Sequence, residues 1–121
     1  DATALGDAAD RLFVARQFDQ AIPVYRRVLE LEPSDAETHN DLGLALHYIG
    51  RSSDAIEVLQ RGAALAPDFQ RIWLSLGFVA LQMDNLGLAQ DALERARALD
   101  PESEVGAEAG RLLSLIAEEQ P

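Results

Sequence analysis

An all-α fold, a stack of three helical hairpins closed by a C-terminal capping helix, is predicted by three observations on this 121-residue chain. The pair Leu42-Gly43 returns as Leu76-Gly77, 34 residues later, inside a similar apolar run, "DLGLAL" against "SLGFVA". Pro33, Pro67 and Pro101 keep the same step. Between this punctuation the apolar residues recur at i, i+3 and i+4, the spacing of a helix with one buried stripe. A fixed period of this size marks a repeat architecture, in which each unit buries its apolar face only against a neighbour. The whole chain, 1–121, reads as one domain, with repeats over about 2–35, 36–69 and 70–103 and a last helix over about 103–119.

Each repeat breaks once near its middle, at "ARQFDQ" (15–20), "GRSSDA" (50–55) and "MDNLGL" (83–88), so each unit is a pair of helices. Each proline stops the second helix of a pair, and Ser34, Asp35, Asp68 and Ser103 are candidates to cap the next one. In the central unit Leu42, Leu46 and Ile49 line the first helix, and Ala55, Ile56, Leu59 and Ala63 the second. In the following unit Trp73, Leu76 and Ala80 face Ala89, Ala92, Leu93 and Ala96. Glycine inside a helix costs roughly 1 kcal/mol relative to alanine. Gly43 and Gly77 are therefore placed where a second helix crosses the first and a side chain would hold the backbones apart, with Ala9 in that role in the first unit. In the last helix Val105, Ala109, Leu112, Leu113 and Ile116 share a face that would cover the final hairpin, with binding of a partner as the rival role.

Composition narrows the function. The formal charge is −11 with a pI near 4.4, so the long-range field repels nucleic acid and anionic membrane. No stretch approaches the ~20 apolar residues of a membrane span, so membrane insertion is not expected. Without Cys there is no disulfide framework, thiol nucleophile or thiolate metal site. All ten basic residues are Arg, the bias of a GC-rich and hence bacterial genome. No signal peptide opens the chain, which begins at Asp1 and reads equally as a piece of a longer protein. The cytoplasm is the default compartment, with the periplasm as the alternative.

Catalytic chemistry is thin. His39 and His47 lie about two turns apart on one helix, where packing explains the first and exposure the second better than reactivity does. Glu37 and Asp41, at i and i+4, would have to recruit one of these histidines to hold a divalent ion, and no known ligand spacing is matched. Acids near a helix N-terminus are ordinary partners of its dipole. Asp7 and Asp10 read as a solvated face, and there is neither a glycine-rich phosphate loop nor a nucleophile elbow. No catalytic residue, metal or cofactor is expected.

The punctuation resembles that of the tetratricopeptide repeat family, whose pattern runs Trp, two residues, Leu-Gly, two residues, an aromatic, then Ala, three residues, an aromatic, and finally Pro. "WLSLGFVA" (73–80), "AQDAL" (89–93) and Pro101 carry the best match. The central unit has His39 for the Trp, then Leu42-Gly43, Ala55, Leu59 and Pro67. The first keeps Ala21, Tyr25 and Pro33, with Leu5 for the Trp and Ala8-Ala9 for Leu-Gly.

The resemblance implies a right-handed superhelix whose concave groove, lined by the first helix of each hairpin, holds a protein or peptide partner. It places Gly6, Asp10, Phe13 and Val14, then Asn40, Leu44, His47 and Tyr48, then Arg71, Leu74, Phe78 and Leu81 along that groove. Phe13, Leu44, Tyr48, Leu74, Phe78 and Leu81 would make it apolar, and such patches mark interaction sites. Some family members grip a chaperone's C-terminal carboxylate with Lys and Asn, but Gly6, Asp10 and Asp41 stand at the corresponding places and only Arg71 keeps a suitable charge. The expectation is a non-enzymatic interaction module for an amphipathic helix or extended apolar segment. The alternatives are a recruiting domain of a larger enzyme, a secretion or assembly chaperone, and a self-associating scaffold.

Overall fold

Helix starts keep strict time along the chain. A computed structural model describes residues 1–119, in which α1 (Ala2–Val14), α3 (Ala36–Tyr48), α5 (Gln70–Gln82) and α7 (Glu104–Glu119) begin 34 residues apart. The intervening α2 (Phe18–Leu31), α4 (Ser52–Leu65) and α6 (Leu86–Leu99) begin at the same interval. α1, α3 and α5 each pack on the even-numbered helix that follows, each hairpin packs on the next, and α7 packs on α6 and α5. The described residues contain seven helices and no strand.

The turns inside the hairpins repeat as faithfully. Arg16, Gly50 and Asp84, again 34 apart, all have positive φ, at 62°, 86° and 58°. Each closes its helix with the same pair of backbone bonds: Arg16 N to Phe13 O and Gln17 N to Leu12 O, at 2.9 and 2.8 Å, have counterparts at 50–51 and 84–85. This is the left-handed closure that satisfies the last carbonyls of a helix. Only Gly50 adopts it without steric cost. Between hairpins, Asp35 accepts from Thr38 N at 3.1 Å and Ser103 Oγ from Gly106 N at 3.0 Å, so both cap the following helix. Asp68 does not cap α5, which starts after Phe69 without a side-chain cap, and Ser34 yields to Asp35.

Packing centres on the glycine crossings. A Cβ on Gly43 would stand 2.5 Å from Cγ of Leu59, and one on Gly77 2.6 Å from Cγ of Leu93. Both leucines are fully buried, so neither has room to retreat. Ala9, also fully buried, holds the equivalent place against α2. Close approach at Gly62 is a further finding: its missing side chain leaves room for the His39 ring, whose Nδ1 donates to the Asp35 carbonyl at 2.8 Å. His39 thus packs in the slot that Trp73 occupies one repeat later, where the indole Nε1 donates to the Pro67 carbonyl at 2.8 Å. Ile49 lies off the packing stripe; it is the residue that ends α3 and is 40% exposed.

The last helix is in phase with the first helices of the hairpins. Through Ala109, Leu112 and Ile116 it covers Ala80, Leu93 and Ala96 of α5 and α6. Gly106, rather than Val105, is buried at its start, pressed against the backbone of Asp100 and Pro101. Gln70 staples the junction, donating to the carbonyls of Ala96 (2.7 Å) and Asp100 (2.9 Å) and accepting from Ser103 Oγ (2.9 Å). One period after Gly77 stands Arg111, exposed and paired with Glu108 at 2.6 Å.

Two glycine-to-alanine changes should therefore move stability in opposite directions. Gly110→Ala in mid-α7, where a Cβ meets only Arg97 at 3.6 Å, should stabilise the protein by about 0.5–1 kcal/mol through helix propensity. Gly77→Ala should destabilise it by about 1–3 kcal/mol through overpacking. Urea unfolding of both variants checks the pair, and equal signs would refute the crossing argument.

Candidate functional site

Odd-numbered helices carry alternate faces of the stack, and one of those faces is hollow. Phe13 from α1, Leu44 and Tyr48 from α3, and Leu74 and Phe78 from α5 line a cleft of about 390 Å³. Its polar wall comes from Asn40, Asp41, Arg71 and Ser75, and α7 completes it with Glu108 and Leu112. The residues recur by the same arithmetic as the core: Leu44, Phe78 and Leu112 are one column, and Asn40, Leu74 and Glu108 another. This size and mixture suit a ligand-binding cavity, mostly apolar with a few convergent polar groups.

The cleft rings Phe13, Tyr48 and Phe78 are connected through Phe18 and His47, which do not line it. Phe18 meets Phe13 edge-on with centroids 5.1 Å apart and lies 4.9 Å from Tyr48; His47 then bridges Tyr48 (5.4 Å) and Phe78 (5.5 Å). Arg16 stands 5.3 Å over the Phe18 ring. Such edge and offset contacts fix ring orientation as well as burying area. His47 is held by a 2.8 Å hydrogen bond between Nδ1 and Ser52 Oγ, and burial pushes its pKa down.

Charge collects at the α1–α3 end. The Tyr25 hydroxyl donates to Asp10 Oδ1 at 2.8 Å, and burial, that bond and the charges of Asp41 and Asp10 raise its pKa. Asp41 lies half-buried beside the cleft. Burial pushes its pKa up to about 6; the Asn40 amide, donating at 3.2 Å, opposes this, while Asp10, Glu37 and Asp35 add to it. Asn40 itself is 3% exposed, and its Oδ1 is buried with no donor.

Of the residues placed in the groove from sequence, Phe13, Asn40, Leu44, Tyr48, Arg71, Leu74 and Phe78 meet in this cleft. Asp10 is engaged by Tyr25 and faces a second hollow toward α2. Val14, 81% exposed, lies at the outer end of α1. His47 sits among the rings, and Leu81 packs with the α5–α7 cluster. Sequence reasoning missed Ser75, Glu108 and Leu112 as lining residues. The last two lie on α7, whose apolar stripe points to a cap, and the signal that places them in the cleft is the 34-residue step from Leu74 and Phe78.

The tetratricopeptide repeat family model matches residues 7–69 and 41–104. Domains of this family are generally non-catalytic interaction modules. A curated relative, the Hsp70-Hsp90 organizing protein of Triticum aestivum, is 32% identical over 110 residues, covering 91% of this chain and 18% of its own. The chain thus spans less than a fifth of the length of the curated relatives it matches. Among solved structures, MamA is 33% identical with a TM-score of 0.84, covering 97% of this chain and 62% of that one. The first repeat domain of Spaghetti (RPAP3), bound to the HSP90 peptide SRMEEVD, superposes with a TM-score of 0.89 at 19% identity, covering 97% and 90%, a likeness of fold alone.

The raised Asp41 pKa has a thermodynamic sign. Between about pH 3.8, the ordinary value, and about 6 the folded chain holds a proton that the unfolded chain has released, so the Asp41 contribution worsens as pH rises through this window. Asp41→Asn should stabilise the fold by about 1–3 kcal/mol at pH 7.5 and by almost nothing at pH 4. Chemical denaturation at both values tests this; a difference independent of pH would refute it.

Proposed function

Because the chain belongs to the tetratricopeptide repeat family, we propose that residues 1–121 act as one non-catalytic interaction domain holding a peptide segment or partner helix in the cleft between α1, α3, α5 and α7. One observation carries the reading: five apolar side chains from three helices, with Leu112 from a fourth, converge on a single hollow. An apolar stripe of a partner helix, or alternate residues of an extended segment, would fill it. Burial of that stripe yields roughly 25 cal/mol per Å² before ordering costs. The RPAP3 domain is bound to the HSP90 peptide SRMEEVD on the same fold, which supports the kind of use, while the polar wall here carries Asp41 and Glu108 beside Arg71. A second use, as the recruiting module of a longer protein, is favoured by the small share of its curated relatives that the chain spans.

Selection from a displayed peptide library against the intact chain tests the proposal directly. Enriched peptides should be apolar, and Phe78→Ala or Tyr48→Ala should each weaken them by about 1–3 kcal/mol, as aromatic anchors at the centre of an interface do. Tyr48 is 45% exposed, so its variant should keep the parent melting temperature within a few degrees. Binding unaffected by both changes would refute the cleft. The peptide SRMEEVD should show no micromolar binding in calorimetry, since Asp10 and Asp41 repel acids; micromolar affinity would overturn this.

A further inference from the structure

At one end of the cleft stands a carboxylate that the fold leaves without a counter-charge. Asp41 is half-buried beside Asp10, Asp35 and Glu37, all acids, and the nearby Tyr25 hydroxyl is spent on Asp10. Arg71 lines the same cleft, yet among the described residues it makes no ion pair within 4.0 Å. The residue before Asp41, Asn40, is only 3% exposed, and its Oδ1 meets no donor while Nδ2 is committed to Asp41. A buried acceptor without a donor is rare and costly. Asp41, held by the amide of this half-satisfied Asn40, thus borders a hollow lined by Phe13, Tyr48 and Phe78, aromatic residues whose ring faces attract cations.

We propose that this end of the cleft seats a primary ammonium, the lysine side chain of an otherwise apolar partner segment. The ammonium carries three donors. It donates to Asp41, whose Oδ1 keeps the Asn40 amide. The methylene stem lies along Leu44 and Phe78, as long cationic side chains run along apolar surface. A carboxylate in this place meets the like charges of Asp10, Asp35, Glu37 and Asp41, against Arg71 as the one cation lining the cleft among the described residues. The proposal rests on the reading of the cleft as a peptide site and adds the residue type that it prefers.

Hexylammonium, hexan-1-ol and hexanoate are equal in stem and differ in head group, so they separate this seat from a merely apolar cleft. Each is titrated into the labelled intact chain while the side-chain signals of Asn40 and Asp41 are followed by NMR. Hexylammonium should bind about tenfold or more tighter than hexanol, in the manner of charge-assisted bonds, and hexanoate weakest. Its affinity should rise with pH as Asp41 ionises, with Asp10, Asp35, Glu37, Tyr25, Arg71 and Glu108 as the other groups around the seat. Asp41→Asn should erase the preference for the ammonium, whereas Phe78→Ala should weaken all three probes alike. If Asp41→Asn unfolds the chain, the pH series on the unaltered protein decides. Equal binding of the three, a preference for hexanoate through Arg71, a preference that survives Asp41→Asn, or no shift of the cleft signals overturns the seat. Peptides selected on the cleft would then keep the broader reading alive; without them both fall.

Discussion

Everything in this molecule depends on helices that cross at a residue with no side chain of its own. At Gly43 and Gly77 the backbone of one helix is roofed directly by a buried leucine of the next, Leu59 or Leu93. That contact sets the distance within a hairpin. The distance within a hairpin sets how the next hairpin rests on it, and the 34-residue interval of helix starts follows. The cleft is a by-product of the same spacing, because helices held in phase carry the same faces forward, and Leu44, Phe78 and Leu112 arrive in one column.

Repeated helical pairs were legible because they rest on short-range rules: proline stops, the mid-unit breaks and the apolar stripe. What stayed illegible depends on where an element ends or on what a distant element supplies. Ile49 has the spacing of a core residue, but α3 stops at Tyr48 and the stripe stops with it. Asp68 has a capping side chain, yet α5 starts after Phe69. Gly62 shows no pattern in its own helix, since it makes room for His39 of the helix before. At the site, the residues on regular columns could be placed from sequence, whereas the orphaned Oδ1 of Asn40 exists only through the packing of neighbouring helices around it.

The polar wall carries chemistry that the family pattern does not dictate. The period requires small or apolar residues at crossings and under neighbouring helices, and leaves positions facing the hollow unconstrained by packing. Asp41 sits at such a position, and its raised pKa is a cost that the fold bears at neutral pH. Groups held at a cost to stability tend to belong to sites rather than to cores.

Arg111 stands at the place where the period would put another glycine, and it is solvated and paired with Glu108. A second copy stacked on this face would have to lay a helix over that position. Doing so strips water from a guanidinium and a carboxylate, a desolvation cost that their mutual attraction often fails to repay. Glu108 lines the cleft and Arg111 is paired with it, so the charge pair at the border of the cleft also acts against a second copy laid over this helix.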